Sequence, residues 1–276
     1  MTANATRSAG TSIGVAVGQF VPTDEADENL AQIGALAARA AERGASVVLF
    51  PEYSNFFADP MDQRFAEHAE DLDGPFTRAL GGLATELGIH VVAGMVERVD
   101  GDRRVSNTAV AIEPGGRIVA TYRKQHLYDA FGQKESDWIA PGEISEPQVF
   151  AAAGLTFGLQ TCYDLRFPEV TRTLVDAGAT VILVPAEWVR GPLKEHHWRT
   201  LVTARAIENT AYLAAADHGP SIGVGNSMIV DPAGVTVASL GTETDVAVAF
   251  ISQARLDEVR AANPALSLRR YAVVPR

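Results

Sequence analysis

Residues 47–57 read VVLFPEYSNFF. Four apolar residues end at a proline, too few for a helix, and such a continuous apolar run is the mark of a strand buried on both faces. Glu52 and Tyr53 follow at once. The pattern returns at 181–191, VILVPAEWVRG, where an apolar run again meets proline, then Glu187 and the aromatic Trp188. Two copies of one strand ending point to two similar α/β halves fused into one sandwich with helices outside.

The flanking sequence supports that reading. Strands are expected at 13–20, 46–50, 89–99, 106–114 and 116–124, with helices at 28–44 and 75–88. Apolar spacing of three to four residues marks the first helix, and Gly44 stops it. EPGGR at 113–117 reads as a hairpin turn. In the second half, strands are expected at 155–161, 180–185, 212–217, 225–232, 235–240 and 246–251. Helices are expected at 167–178, 193–210 and 256–264, the last stopped by Pro264. No long polar linker separates the halves. A flexible tail at 1–11 followed by a single domain at 12–276 is therefore expected.

Composition narrows the function. The 276 residues are 47% hydrophobic, enough for a sizeable core, and carry a formal charge of −11. An acidic chain repels phosphate backbones, so no nucleic-acid partner is expected. No stretch approaches the roughly 18 apolar residues of a membrane helix, and the first residues lack the apolar segment of a signal peptide. One cysteine, Cys162, forms no internal disulfide. The expected setting is cytoplasmic, with no membrane contact.

Ligands of open α/β sheets bind beyond the carboxyl ends of strands. Three ionisable groups stand at such ends: Glu52 after VVLFP, Lys124 after RIVATYR and Cys162 after LTFGLQT. Singly, each has an ordinary reading: a solvated loop acid, an edge charge and a small core filler. Together they form a chemistry. A carboxylate takes the thiol proton, the thiolate attacks a carbonyl carbon, and an ammonium stabilises the resulting oxyanion. The backbone N–H of Tyr163, next to the nucleophile, is a natural second oxyanion donor. The product is a thioester that water hydrolyses.

FPEY (50–53), YRKQHLYD (122–129) and TCYDLRFPE (161–169) resemble the nitrilase, or carbon–nitrogen hydrolase, superfamily. The order Glu, Lys, Cys matches that family's pattern over roughly residues 12–272. The resemblance implies a four-layer α-β-β-α sandwich, no metal, no organic cofactor, and a homodimer or larger homo-oligomer. It implies Glu52 as general base, Lys124 as transition-state stabiliser and Cys162 as nucleophile. A second glutamate after the lysine helps position it; Glu135 fits, with Glu143 the alternative. Asp164, Arg166 and Glu169 are expected to pair as an architectural unit, substrate contact by Arg166 being the alternative. Substrate-pocket candidates are Tyr53, Glu187 and Trp188. Each has a competing reading: Tyr53 and Trp188 as packing residues, Glu187 as a solvated acid. His196 and His197 point apart on a helix and lack a third ligand, which disfavours metal.

CYDLRFPE resembles the amidase branches, including the Nit-type enzymes. A small linear amide is then the expected substrate, with release of ammonia or amine. N-carbamoyl hydrolysis and nitrile hydrolysis are alternatives, the latter disfavoured because nitrilases carry Cys-Trp-Glu at the nucleophile. Relatives have Gly-Pro-Ala-His-Trp where this chain reads RGPLKEHHW (190–198), which leaves the substrate open. The competing classes are an inactive sandwich serving as a binding or regulatory module, and a thiol redox protein. The complete set of Glu52, Lys124, Cys162 and Glu135 argues against the first. The lack of a resolving cysteine argues against the second.

Overall fold

A computed structural model describes residues 12–276; the expected tail at 1–11 lies outside the described residues. In chain order the elements are β1 (Ile13–Gln19), α1 (Ala26–Glu42), β2 (Ala45–Leu49), α2 (Arg64–Glu67), α3 (Pro75–Leu87), β3 (His90–Glu97), β4 (Ser106–Ile112) and β5 (Ile118–Arg123). They continue as β6 (Val149–Ala152), β7 (Leu155–Leu159), α4 (Pro168–Asp176), β8 (Val181–Ala186), α5 (Lys194–Asn209), β9 (Tyr212–Asp217), β10 (Met228–Val230), β11 (Thr236–Ser239), β12 (Asp245–Ile251) and α6 (Gln253–Ala262). Short 3₁₀ turns cover Glu135–Asp137 and Cys162–Arg166.

The strands form two six-stranded sheets, ordered β12-β1-β2-β3-β4-β5 and β11-β10-β9-β8-β7-β6. Each has a parallel centre, β1-β2-β3 in one and β7-β8-β9 in the other. Side chains alternate between faces with a period of two. Val15, Val17, Val47 and Leu49 face inward onto Leu159, Val181 and Leu183 of the opposite sheet. Ala16, Val48 and Val91 face outward and pack with Ile33, Leu36 and Ala40 of α1 and Leu80 and Ala84 of α3. On the other side, Ile182 and Val184 pack with Leu174 of α4 and Trp198, Val202 and Ala206 of α5. Helix, sheet, sheet and helix therefore stack in four layers, as the resemblance implied.

Tertiary packing decides several local questions. Gly81 and Gly82 each weaken α3 by about 1 kcal/mol relative to alanine. Full burial of Phe76 and Leu80 stabilises it by about 1.5–3 kcal/mol apiece, which is the larger effect. Gly81 also has a packing reason: a Cβ there would lie 2.8 Å from the Gly116 carbonyl oxygen in the β4–β5 turn. Two elements were absent from the sequence reading. The strand β6 is only four residues of VFAA and becomes a strand by pairing with β7 across Ala153 and Gly154, both at positive φ. The short helix α2 buries only Phe65.

The turn after β2 rests against β3 so closely that only glycine fits. Gly94 accepts the Ser54 N–H at 2.8 Å and donates to the Pro51 carbonyl at 3.0 Å. A Cβ on Gly94 would stand 2.6 Å from Glu52 Cα. Gly94→Ala is expected to lower unfolding stability by about 1–3 kcal/mol in urea denaturation. An unchanged midpoint would mean that the turn yields without cost.

Candidate active site

Four strand ends converge. Glu52 lies just beyond β2, Lys124 beyond β5, Cys162 beyond β7 and Glu187 beyond β8. The Glu187 N–H donates to Glu52 Oε2 at 2.6 Å, a bond that runs from one half of the sandwich to the other. The echoed segments thus meet at their glutamates.

Lys124 is the centre of charge. Its Nζ donates to Glu52 Oε1 at 2.8 Å and to Glu135 Oε1 and Oε2 at 3.0 and 2.9 Å. All three side chains are buried. Burial alone would pull the Lys124 pKa down, but Glu135 and then Glu52 outweigh it and hold the ammonium well above the usual lysine range. Further donors satisfy the carboxylates. The Asn107 side-chain amide donates to Glu52 Oε1 and, at 3.2 Å, to Glu135 Oε1. The Tyr53 hydroxyl donates to Glu135 Oε1 at 2.7 Å, and the Tyr128 N–H to Glu135 Oε2 at 2.5 Å. Glu143, the alternative to Glu135, is exposed on the surface.

Cys162 opens a 3₁₀ turn with φ of 45°, in the left-handed region. A non-glycine residue there stores strain of order 1–3 kcal/mol, which the surroundings must hold. Asp164 supplies much of that hold. Its fully buried carboxylate accepts the Thr161 N–H at 3.0 Å and the Tyr122 hydroxyl at 2.7 Å, and lies 2.8 Å from His126 Nδ1. Arg205 ties the same turn to α5 by donating to the Leu165 carbonyl at 2.7 and 3.0 Å. The Cys162 thiol points at the Glu187 carbonyl oxygen, 3.5 Å away. Burial, then the Glu52 charge, push the Cys162 pKa well above its ordinary value, while Lys124 opposes them. At neutral pH the thiol keeps its proton, beside a carboxylate.

A small pocket at Cys162 is lined by Tyr128, Tyr163, Arg166, Glu187, Trp188, Val189 and Lys194. Glu187 and Trp188, expected at the pocket, are there. Burial and then Glu52 raise the Glu187 pKa well above the usual carboxylate range. Trp188 lines the pocket and also packs on Trp198 in the core. Tyr53, a pocket candidate with packing as its alternative, is outside this lining: it stands behind Glu135, packed against Phe57 and Phe65. The expected network of Asp164, Arg166 and Glu169 does not form among the described residues. Asp164 turns to Tyr122 and His126, and Arg166 lies over the rings of Trp188, Phe131 and Tyr163. Sequence reading missed Asn107, Tyr128, Lys194, Asp217 and His218. Asp217 accepts the Trp188 N–H at 2.6 Å, and His218 Nε2 lies 2.7 Å from the Glu52 carbonyl oxygen. Asp217 and His218 end and follow β9, a position with the same logic as Glu52; Asn107 and Lys194 carry no such signal.

Comparison with known proteins finds relatives along nearly the whole chain. The Carbon-nitrogen hydrolase family profile matches residues 14–261. The chain is 38% identical over 264 residues to a deaminated glutathione amidase of Escherichia coli O157:H7, covering 94% of this chain and 97% of that protein. It superposes on the Caenorhabditis elegans NitFhit protein with a TM-score of 0.85 at 29% identity, covering 95% of this chain and 66% of that one. An amidase from Nesterenkonia sp. superposes with a TM-score of 0.78 at 30% identity, covering 94% and 97%. A mutant of that amidase has been crystallised with butyramide.

His218 gives the site a pH signature. It is fully buried, and burial lowers its pKa from 6.5 to about 4. The folded ring stays neutral where the unfolded one gains a proton. Its contribution is therefore present above pH 6.5 and is lost as pH falls toward 4. The loss is up to about 3 kcal/mol, from 1.36 kcal/mol per pKa unit. Unfolding free energies of wild type and His218→Gln, measured across that range, are expected to converge as pH falls. Parallel curves would remove His218 as the titrating group.

Proposed function

The chain belongs to the carbon–nitrogen hydrolase family and is an amidase of it, and from that premise we propose that it hydrolyses a small linear amide through a thioester on Cys162. The observation that carries this reading is the Lys124 ammonium held between the two buried carboxylates Glu52 and Glu135, with the Cys162 thiol near enough to feel the charge of all three.

Glu52 removes the Cys162 proton as sulfur attacks the amide carbon. The oxyanion is met by Lys124 and by the backbone N–H of Tyr163, near the start of a 3₁₀ turn where N–H groups lack partners inside the turn. Collapse breaks the C–N bond, and the proton held by Glu52 goes to the departing nitrogen, so that ammonia or amine leaves. Glu52, again ionised, takes a proton from water. The resulting hydroxide attacks the thioester, carboxylic acid is released, and the thiol regains its proton. Glu135 keeps Lys124 in place throughout. The raised pKa of Cys162 fits a nucleophile activated only when substrate is attacked. Leu268, Tyr271 and Val274 of the C-terminal segment are exposed apolar side chains, which favours the homodimer or larger assembly; light scattering at no more than the mass of one chain would exclude it.

Ammonia release from primary amides is the direct assay. Cys162→Ala is expected to release none. Glu52→Gln is expected to keep its circular dichroism and lose turnover by about 100-fold or more. Turnover near that of wild type in Glu52→Gln would take Glu52 out of the reaction.

A further inference from the structure

Asp217 closes β9, is fully buried, and meets main-chain donors with both oxygens. Its Oδ1 accepts the Trp188 N–H at 2.6 Å and its Oδ2 the Val224 N–H at 2.9 Å. The loop after β9 folds closely round this carboxyl: a Cβ on Gly223 would stand 2.8 Å from Oδ2. Burial pushes the Asp217 pKa well above the usual carboxylate range, against the pull of the Trp188, Val224 and His218 N–H groups. A side chain this costly to bury is not needed merely to join the two segments. The Val224 N–H also reaches the Trp188 carbonyl at 3.1 Å, the Arg190 N–H reaches the Ile222 carbonyl at 3.2 Å, and Val189 forms a bridge with Gly223. What Asp217 adds is an acceptor for the Trp188 N–H.

That N–H belongs to the same peptide group as the Glu187 carbonyl, which accepts the Cys162 thiol at 3.5 Å. In a trans peptide the C=O and N–H point opposite ways in one plane, so anchoring the N–H aims the carbonyl. A carboxyl on the N–H also polarises the carbonyl into a stronger acceptor. The preceding peptide group donates the Glu187 N–H to Glu52 Oε2 at 2.6 Å. Two successive peptide groups thus touch the base and the nucleophile, and Asp217 holds the second from the far side.

We propose that Asp217 is a positioning residue acting through the Glu187–Trp188 peptide group, which it turns so that the carbonyl meets the Cys162 thiol and the Glu187 N–H meets Glu52. This rests on the amidase reading and deepens it. At rest the thiol is parked with its proton on the carbonyl, and Glu52 is fixed beside Lys124. Asparagine at 217 has nearly the same shape but one acceptor oxygen, so one of the two N–H groups then faces an NH₂ group.

Asp217→Asn is expected to lower kcat for ammonia release at least about tenfold. It is also expected to move alkylation of Cys162 by iodoacetamide to lower pH, the midpoint falling by about half a unit or more, because the carbonyl that keeps the proton on sulfur is no longer aimed. Glu52, Lys124, Glu187 and Glu135, whose charges the thiol feels, are all retained in this variant. Leu80→Ala, in α3 on the outer face of the other sheet, is the control for general loosening. It is expected to lower the melting temperature and leave kcat and the alkylation midpoint unmoved. Loss of turnover without a shifted midpoint, wild-type turnover in Asp217→Asn, or both changes in Leu80→Ala as well, each overturns the proposal. If Asp217→Asn fails to fold, amide hydrogen exchange of wild type decides. A Trp188 N–H as protected as those of β8 and β9 supports the anchor, and one exchanging like the exposed loops overturns it. Alkylation needs no amide substrate. A shifted midpoint in a protein whose wild type releases no ammonia therefore removes only the amidase reading, and ammonia release with an unshifted midpoint removes only this one.

Discussion

The ammonium of Lys124, shut between the Glu52 and Glu135 carboxylates away from bulk water, is the constraint around which the surrounding structure is arranged. Taking each ion out of water costs several kcal/mol, and mutual attraction repays that only when geometry is tight and every remaining lone pair is met. Asn107, Tyr53 and the Tyr128 N–H meet them. Each comes from a different segment, so the cluster cannot form until β2, β4 and the loops after β2 and β5 are in register. The ion cluster is thus a consequence of the fold more than a cause of it. The hydrophobic layers supply the stability that lets so much charge be buried.

The two sheets answer a geometric problem. A carboxylate, an ammonium and a thiol far apart in sequence must meet, and the carboxyl ends of strands in facing sheets bring them together. The Glu187 N–H on Glu52 and the His218 ring at the Glu52 carbonyl run across the interface between sheets. Their placement makes the position of the base depend on the packing of both halves. Strain accompanies this: Tyr53 and Cys162 both occupy the left-handed region at φ of 56° and 45°. The turn at Cys162 sets its thiol in the pocket lining, and the turn at Tyr53 sets its hydroxyl on Glu135 from behind. Asp164, satisfied by three neighbours, keeps the second of these turns closed without taking any part in the proposed chemistry.

The fold was legible in the sequence wherever burial on both faces produced uninterrupted apolar runs. VVLF and VILV are such runs, and their shared ending led to the right pairing of halves. It was not legible at β6, where VFAA has neither length nor alternation and is a strand only because β7 lies beside it. The positions of Glu52, Lys124 and Cys162 were legible because chemistry restricts residue type at strand ends, and Glu135 through the family resemblance alone. Arg166 was assigned to the wrong partners. Its neighbours Asp164 and Glu169 are close in sequence but do not pair with it, and the rings of Tyr163 in the same turn and of Phe131 and Trp188 from other segments receive the guanidinium instead.

The amino-acid sequence by itself determined the layers, the family and the four residues that gather at the site. Apolar periodicity and residue chemistry are local properties that survive without coordinates. Only the tertiary structure decided that Tyr53 supports Glu135 from behind, that Glu187 and Trp188 reach the pocket, and that Lys194 is buried there with no ion pair to a carboxylate among the described residues. A side chain's surroundings are made of residues remote along the chain, and whether a charge is paired or left open is settled by those surroundings alone.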